Sequence, residues 1–223
     1  MQLQFGQILP YLPDFGRGAL LSLWIAVLAF AMGLAIGLLG ASLLRFGPRA
    51  VRVVVRAYVG FFTNTPQLVQ VFFLFYALPE FGILLTPFQA VLLGMTLNAG
   101  AYLTEIQRAG FESVRREELE AAETLGFNRA QTVWYVIAPH VVRALYPALS
   151  SQYIIMTLGT SMAAIFGVEE LTGRALNANA VSFRSIEIFT VTAVIYVGIT
   201  VLASAMLYGL GRWLFRIRRG SAF

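Results

Sequence analysis

Residues 118–139, ELEAAETLGFNRAQTVWYVIAP, form a polar stretch between long apolar segments. The residues up to Leu125 favour a helix, Gly126 offers a position where a helix ends and the chain turns, and Asn128 suits the cap of a second helix. The pattern therefore predicts two short helices joined at a sharp corner, the second running to Pro139.

The first of these helices has an unusually small face. Ala121 and Ala122 leave little side-chain bulk, so another surface can approach closely, and Glu120 and Glu123 place anionic groups at its border. An alanine pair by itself is also common on an exposed helical hairpin with no further role. The complete spacing, with a glycine and a proline bounding the second helix, is much more specific than the alanine pair.

The composition indicates a membrane protein with several spans. Of 223 residues, 58% are hydrophobic and 12% are charged, which is too apolar for a soluble domain of this size. The net charge of +5 comes from arginines that lie beside apolar segments rather than on one basic face, so a nucleic-acid partner is not expected. The single histidine, His140, is expected to be an interfacial side chain rather than a metal ligand, because metal sites need several ligands.

Two kinds of chemistry are excluded by missing residue types. The chain has no cysteine, which excludes disulfides, thiol catalysis and thiolate metal sites. It also has no Gly-Lys-Ser/Thr phosphate loop, so it cannot hydrolyse ATP by the P-loop mechanism. The sequence thus predicts that the chain is not an enzyme and binds no cofactor of its own.

Hydropathy predicts an all-α membrane protein with five transmembrane helices in one domain, residues 1–223. A polar loop that contains residues 118–139 is predicted over 110–140, and the predicted spans are 18–44, 53–78, 87–109, 141–165 and 186–214. All but three of the 16 arginines fall on one side of these spans; the exceptions are Arg17, Arg174 and Arg184. Because basic residues accumulate on the cytoplasmic side, the N-terminus is expected outside, and the C-terminus and the loop inside.

The predicted second span contains many hydrogen-bonding groups at membrane depth. Pro66 has no N–H and frees a carbonyl in the preceding turn, which Thr63 or Asn64 is expected to satisfy. Thr65, Pro66 and Gln70 are therefore assigned to a structural kink that faces protein. Direct substrate contact is the alternative for this segment.

Polar residues of the third and fourth predicted spans are candidates for a translocation path. Asn98 shares a helix face with Tyr102 and Glu105, and such groups are costly against lipid. Glu105 precedes Arg108 by three residues, which favours a local ion pair. The path candidates are Asn98, Tyr102, Gln152, Thr157, Thr160 and Ser161, although each hydroxyl can also bond back to its own helix.

The motifs resemble one known family in most of the chain, from about residue 63 to 171. Glu120-Ala121-Ala122, Gly126 and Pro139 resemble the cytoplasmic coupling loop of ABC-importer permeases. Residues 101–110 resemble the helix that precedes this loop in the polar-amino-acid permeases of the histidine, glutamine and glutamate type. Residues 65–70, 160–161 and 167–171 resemble further motifs of that family.

The resemblance implies a permease subunit of an ATP-driven importer in the bacterial inner membrane. Its implied partners are a cytoplasmic ABC ATPase dimer that carries ATP and Mg, a second permease subunit that is identical or homologous, an extracytoplasmic binding protein, and membrane lipid. The implied substrate is a polar amino acid. A permease of the same architecture for an opine or an organic anion is one alternative, and a stand-alone channel or secondary transporter is another.

The sequence departs from the family pattern in two places. Upstream of Glu120 the family usually has Gly-Gln, whereas this chain has Glu117 and Glu118, which adds negative charge near the expected ATPase contact. Before Thr160 the family usually has Lys-Asp, whereas this chain has Leu158 and Gly159. A carboxylate at that position could hold a cationic group, so its absence removes the reason to expect that this subunit binds a basic amino acid there.

Overall fold

Residues 3–215 are described in the computed structural model, and they form helices with no strand among them. The α-helices in chain order are α1 (Leu12–Phe46), α2 (Arg49–Thr63), α3 (Gln67–Phe72), α4 (Pro87–Glu112), α5 (Arg116–Thr124), α6 (Arg129–Thr132), α7 (Ala138–Gly159), α8 (Leu171–Ser182) and α9 (Ser185–Leu214). Short 3₁₀ segments cover Phe5–Tyr11, Leu78–Phe81 and Thr160–Phe166, and π-helical turns cover Phe73–Ala77 and Val133–Ile137.

Three continuous helical stretches are long and apolar enough to cross a membrane. They are Phe5–Phe46, Arg129–Phe166 and Ser185–Leu214, and they contain the first, fourth and fifth predicted spans. On α9 the side chains of Val194, Val197 and Val201 are exposed, as expected for a face that meets lipid. Arg216, Arg218 and Arg219, which contribute to the predicted orientation, lie outside the described residues.

The other two predicted spans differ from long apolar helices for identifiable reasons. The second is two helices, because the chain leaves helical geometry between Thr63 and Gln67, around Pro66. The third coincides with α4, which buries polar residues such as Thr96 and Asn98 and is therefore less apolar than its neighbours.

Helix α4 lies at the centre of the fold and packs most extensively against α1. Two glycines of α1 make this contact possible. A Cβ placed on Gly37 would lie 2.8 Å from the carbonyl carbon of Leu103, and one on Gly40 would lie 2.5 Å from Thr104 Oγ1. Gly33, Gly37 and Gly40 thus form a stripe of small residues on the α1 face that meets α4, where it lets the two helices approach closely.

An apolar cluster holds α8 against α1 and α9. It is built from Ile8, Phe15, Leu171, Ala175 and Ile188, all of them fully or almost fully buried. The segment after the fourth predicted span is therefore an ordered helix anchored in the fold.

Candidate functional site

The corner predicted between α5 and α6 is present. Gly126 has φ +75°, a left-handed conformation that favours glycine, and its N–H donates to the carbonyl of Glu123 (2.9 Å). Asn128 and Gln131 form a reciprocal cap, each side chain accepting from the other's backbone N–H at 2.9 Å. Both ends of the turn are therefore closed by local hydrogen bonds.

The predicted coupling residues of α5 divide between its two faces. Ala122 is buried, whereas Glu120 and Ala121 are exposed. Glu120 forms an ion pair with Arg116, from Oε1 to Nε at 2.9 Å. Helix α5 thus anchors itself through Ala122 and presents Glu120 and Ala121 to the surroundings.

His140 ties α5 to the start of α7. Its Nδ1 lies 3.2 Å from Glu118 Oε2, and its Nε2 lies 3.1 Å from the carbonyl oxygen of Ser113. Both ring nitrogens therefore have an oxygen atom within hydrogen-bond distance. These contacts fit the prediction of an interfacial histidine with its polar atoms satisfied.

Pro139 does not end the second helix, contrary to the prediction. The helix runs from Arg129 through Pro139 to Phe166 without a break. Pro139 lies in the first turn of α7, directly after the π-helical turn Val133–Ile137. Because proline has no N–H to give to the preceding turn, the wider turn accommodates it while the helix continues.

The predicted kink is the centre of a buried amide cluster. The Phe62 carbonyl, which lacks its helical donor because of Pro66, accepts from Gln70 Nε2 (3.0 Å) and from Asn98 Nδ2 (3.1 Å). Gln70 Nε2 also donates to Thr65 Oγ1 (2.7 Å), and Asn98 Nδ2 donates to Gln70 Oε1 (3.1 Å). Gln70 and Asn98 are both buried, so this cluster fastens α4 to the break between α2 and α3.

The predicted donors to the freed carbonyl were wrong. Thr63 Oγ1 donates to Val59 and Asn64 Nδ2 donates to Gly60, each to the carbonyl four residues earlier. Short side chains reach their own turn first, whereas the Phe62 carbonyl points towards α3 and α4.

The six predicted path residues have different surroundings. Thr157 and Thr160 are fully buried, and their hydroxyls donate to the carbonyls of Tyr153 (2.9 Å) and Thr157 (2.7 Å). Tyr102 is 40% exposed, and its hydroxyl donates to the Thr63 carbonyl at 3.3 Å. Gln152 and Ser161 are partly exposed and have no side-chain hydrogen bond within residues 3–215.

The structure brings the kink close to the end of α7. A Cβ placed on Gly159 would lie 3.6 Å from Gln67 Oε1, so the 157–161 segment lies beside α3. Glu105 forms the predicted ion pair with Arg108 (2.7 Å), and Arg108 also forms an ion pair with Glu112 (2.8 Å). Glu105 is therefore occupied by a local partner.

Glu170 is a buried carboxylate that is not among the predicted site residues. Its side chain is completely buried and accepts hydrogen bonds from Ser22 Oγ (2.9 Å), Tyr196 OH (2.8 Å) and the Gly173 N–H (3.0 Å). It joins α1, α8 and α9 at one point. Its position just before α8 predicts an N-cap, but its burial depends on residues far away in the chain.

Comparison with known proteins gives concordant results. A family model described as the binding-protein-dependent transport system inner membrane component matches residues 18–216. The glutamine transport system permease protein GlnP of Escherichia coli (strain K12) is 38% identical over 95% of this chain and 98% of its own length. The L-cystine transport system permease protein TcyB of Bacillus subtilis (strain 168) is 33% identical over 81% of this chain and 77% of its own.

A solved structure has the same fold. The crystal structure of an amino acid ABC transporter with histidines contains a chain that matches with a TM-score of 0.89 and 30% identity, covering 95% of this chain and 99% of that one.

Proposed function

The chain belongs to the family of binding-protein-dependent transport system inner membrane components, and on this basis we propose that it is the permease subunit of an ATP-driven importer of polar amino acids. Relatives named as glutamine and cystine permeases support amino acids as the substrate class. They favour this class over an organic anion and an importer over a stand-alone channel.

One structural observation carries the mechanism. The helix that starts at the corner after Gly126 continues without interruption over the 38 residues Arg129–Phe166. At 1.5 Å per residue, such a helix is about 55 Å long and spans a bilayer. Motion imposed on the corner can therefore reach the 157–161 segment along one continuous helical stretch, which includes the π-helical turn Val133–Ile137 and Pro147.

The proposed partners follow from this arrangement. Family permeases do not hydrolyse ATP themselves, so a cytoplasmic ATPase dimer carrying ATP and Mg²⁺ engages Glu120, Ala121, Ala122 and Gly126. The chain itself needs no cofactor. An extracytoplasmic binding protein delivers substrate, and a second permease subunit, identical or homologous, completes the path.

We place the chain in the bacterial inner membrane with five spans, the N-terminus outside and the coupling loop inside. The arginine distribution supports this orientation. The α2–α3 pair and α4 serve as the second and third spans because the amide cluster at the kink supplies internal donors to the Phe62 carbonyl, which Pro66 leaves without its helical partner.

Within the path, we assign substrate contact to polar atoms that have no hydrogen-bond partner within residues 3–215. Asn98 Oδ1 accepts no hydrogen bond within residues 3–215, although the Asn98 amide nitrogen is engaged, and the side chains of Gln152 and Ser161 are also available. Thr157 and Thr160 shape the wall through packing.

Reconstitution tests the proposal. The permease complex is placed in proteoliposomes with its ATPase and binding protein, and uptake of a panel containing glutamine, cystine, octopine and an organic anion is measured. We expect uptake of a polar amino acid that requires both ATP and the binding protein. An ATPase variant lacking its phosphate-loop lysine is the matched control. Equilibration of solutes without ATP would instead identify a channel.

A further inference from the structure

A cavity of about 620 Å³ lies between the end of α1 and the segment 119–137. Its walls are mainly apolar and include Phe46, Phe111, Val114, Phe127 and Ile137. Its volume falls in the usual range for sites that hold a small molecule. The residues proposed to receive the ATPase, Glu120, Ala121, Ala122 and Gly126, are not part of this lining.

The charged lining residues of this cavity are Arg45, Arg129 and Glu123. Neither arginine forms an ion pair or a side-chain hydrogen bond within residues 3–215, although carboxylates are frequent nearby. Arg116, for comparison, has a side chain that is 88% exposed and still pairs with Glu120. The cavity therefore combines an apolar interior with one carboxylate, that of Glu123, and two arginines that form no ion pair within residues 3–215.

We propose that this cavity binds an anionic phospholipid, with its phosphate at Arg45 and Arg129 and one acyl chain along the apolar wall. A guanidinium binds phosphate by paired N–H donors, and basic pockets at the cytoplasmic face of membrane proteins suit anionic headgroups. A free phosphate ion would satisfy the arginines but would leave the apolar wall exposed. The amphiphile matches both parts of the lining.

The bound lipid would connect two parts of the coupling apparatus. Phe46 and Phe111 lie at the ends of α1 and α4, whereas Phe127 and Arg129 belong to the corner, and all four line the cavity. A lipid wedged between them restrains the corner relative to the spans. The leaflet assigned to the site rests on the proposed function and its orientation, whereas lipid binding by the cavity does not.

The test uses the purified permease complex with its ATPase, stripped of lipid in detergent. Binding of phosphatidylglycerol and of phosphatidylcholine is titrated by native mass spectrometry, without ATP or binding protein. We expect preferential retention of phosphatidylglycerol, with affinity falling about tenfold for each of Arg45→Gln and Arg129→Gln. Arg49→Gln is the matched control, since Arg49 is also exposed and makes no ion pair within residues 3–215, but lies outside the cavity lining. Millimolar inorganic phosphate is expected not to displace the lipid.

A second variant addresses the apolar part. Val114→Phe should fill the cavity and reduce phosphatidylglycerol binding while both arginines remain. Unchanged binding in the double arginine variant, equal losses in the Arg49 control, or displacement by inorganic phosphate would each overturn the proposal. Loss of transport with intact lipid binding would instead count against the proposed function alone.

Discussion

Replacing the buried carboxylate of Glu170 tests how α8 is held in the fold. Glu170→Leu removes the acceptor for three donors: Ser22 Oγ, Tyr196 OH and the Gly173 N–H. Each hydroxyl has a second partner, but the backbone N–H of Gly173 is buried and has lost its cap. An unpaired buried donor costs about 1–3 kcal/mol, and hydrogen bonds to a charged group contribute about 1.5–3 kcal/mol each.

Removing a buried charge also relieves its desolvation, which offsets part of this loss. The expected net destabilisation is about 2–4 kcal/mol. For a chain of this length, each kcal/mol corresponds to about 2–4 °C, so the thermal midpoint should fall by roughly 4–16 °C.

Two control variants separate hydrogen bonding from charge. In Glu170→Gln the amide oxygen still accepts from Gly173, and the amide nitrogen can donate to the Ser22 or Tyr196 hydroxyl after that hydroxyl rotates. The free energy of unfolding of the Glu170→Gln variant should therefore fall by no more than about 1 kcal/mol. Glu169→Leu removes the neighbouring carboxylate, which is half exposed and pairs with Arg174 (2.9 Å), and a surface pair is worth about 0–1 kcal/mol.

The assay is thermal unfolding of the detergent-solubilised complex, followed by tryptophan fluorescence and by loss of the monodisperse peak in size-exclusion chromatography. The expected order of midpoints is wild type, Glu169→Leu and Glu170→Gln close together, then Glu170→Leu well below. If Glu169→Leu lowers the midpoint as much as Glu170→Leu, the buried hydrogen bonds of Glu170 do not stabilise the fold more than the surface ion pair of Glu169. If Glu170→Gln is as damaging as Glu170→Leu, charge rather than donor pairing dominates.

Three further predictions concern the coupling corner, the amide cluster and the orientation. Gly126→Val should lose ATPase association, because a β-branched residue at positive φ costs at least about 1–2 kcal/mol, whereas Gly126→Asn, which tolerates this conformation, should retain it in co-purification. Normal association of the valine variant would show that the corner is not the docking element. Asn98→Leu should assemble but lose uptake or change substrate selectivity, since Gln70 still donates to the Phe62 carbonyl. The Asn98→Leu/Gln70→Leu double variant should be about 1–3 kcal/mol less stable than either single variant, because only then does the buried Phe62 carbonyl lose both donors. A double variant as stable as the less stable single variant in thermal unfolding would refute the shared carbonyl. A cysteine at Asn128 should resist an impermeant thiol reagent added outside intact cells while one at Glu80 reacts, against a background without native cysteine; the reverse pattern would invert the orientation.

Local signals in the sequence were sufficient for the corner. The left-handed glycine and the cap between Asn128 and Gln131 each involve residues at most three apart. Such motifs form wherever the right residues follow one another, because short-range hydrogen bonds decide the turn. The glycine stripe of α1 was also predictable as a close contact, but the sequence could not identify α4 as the helix it meets.

Distant contacts explain what the sequence left undetermined. The donors to the Phe62 carbonyl are eight and 36 residues away, and Glu170 meets Ser22 across 148 residues. No short-range pattern encodes which side chain arrives at an unpaired carbonyl or carboxylate. The continuation of the helix through Pro139 was missed for a related reason, because a π-helical turn within a packed helix accommodates a proline that would otherwise indicate an end.

Polar side chains within the apolar helices fall into two kinds, and only the structure separates them. The hydroxyls of Thr157 and Thr160 are buried and bonded to nearby carbonyls, so their presence is explained without a substrate. Gln152 and Ser161 are likewise polar residues in an apolar helix, but their side chains are partly exposed and form no hydrogen bond in the described part of the chain. A polar group in a membrane helix needs a hydrogen-bond partner. The partners of Gln152 and Ser161 must therefore be water, groups of a second permease subunit or the transported amino acid. If these open groups and Asn98 Oδ1 contact the substrate, as proposed, we expect selectivity to follow them rather than the number of polar residues in the helices.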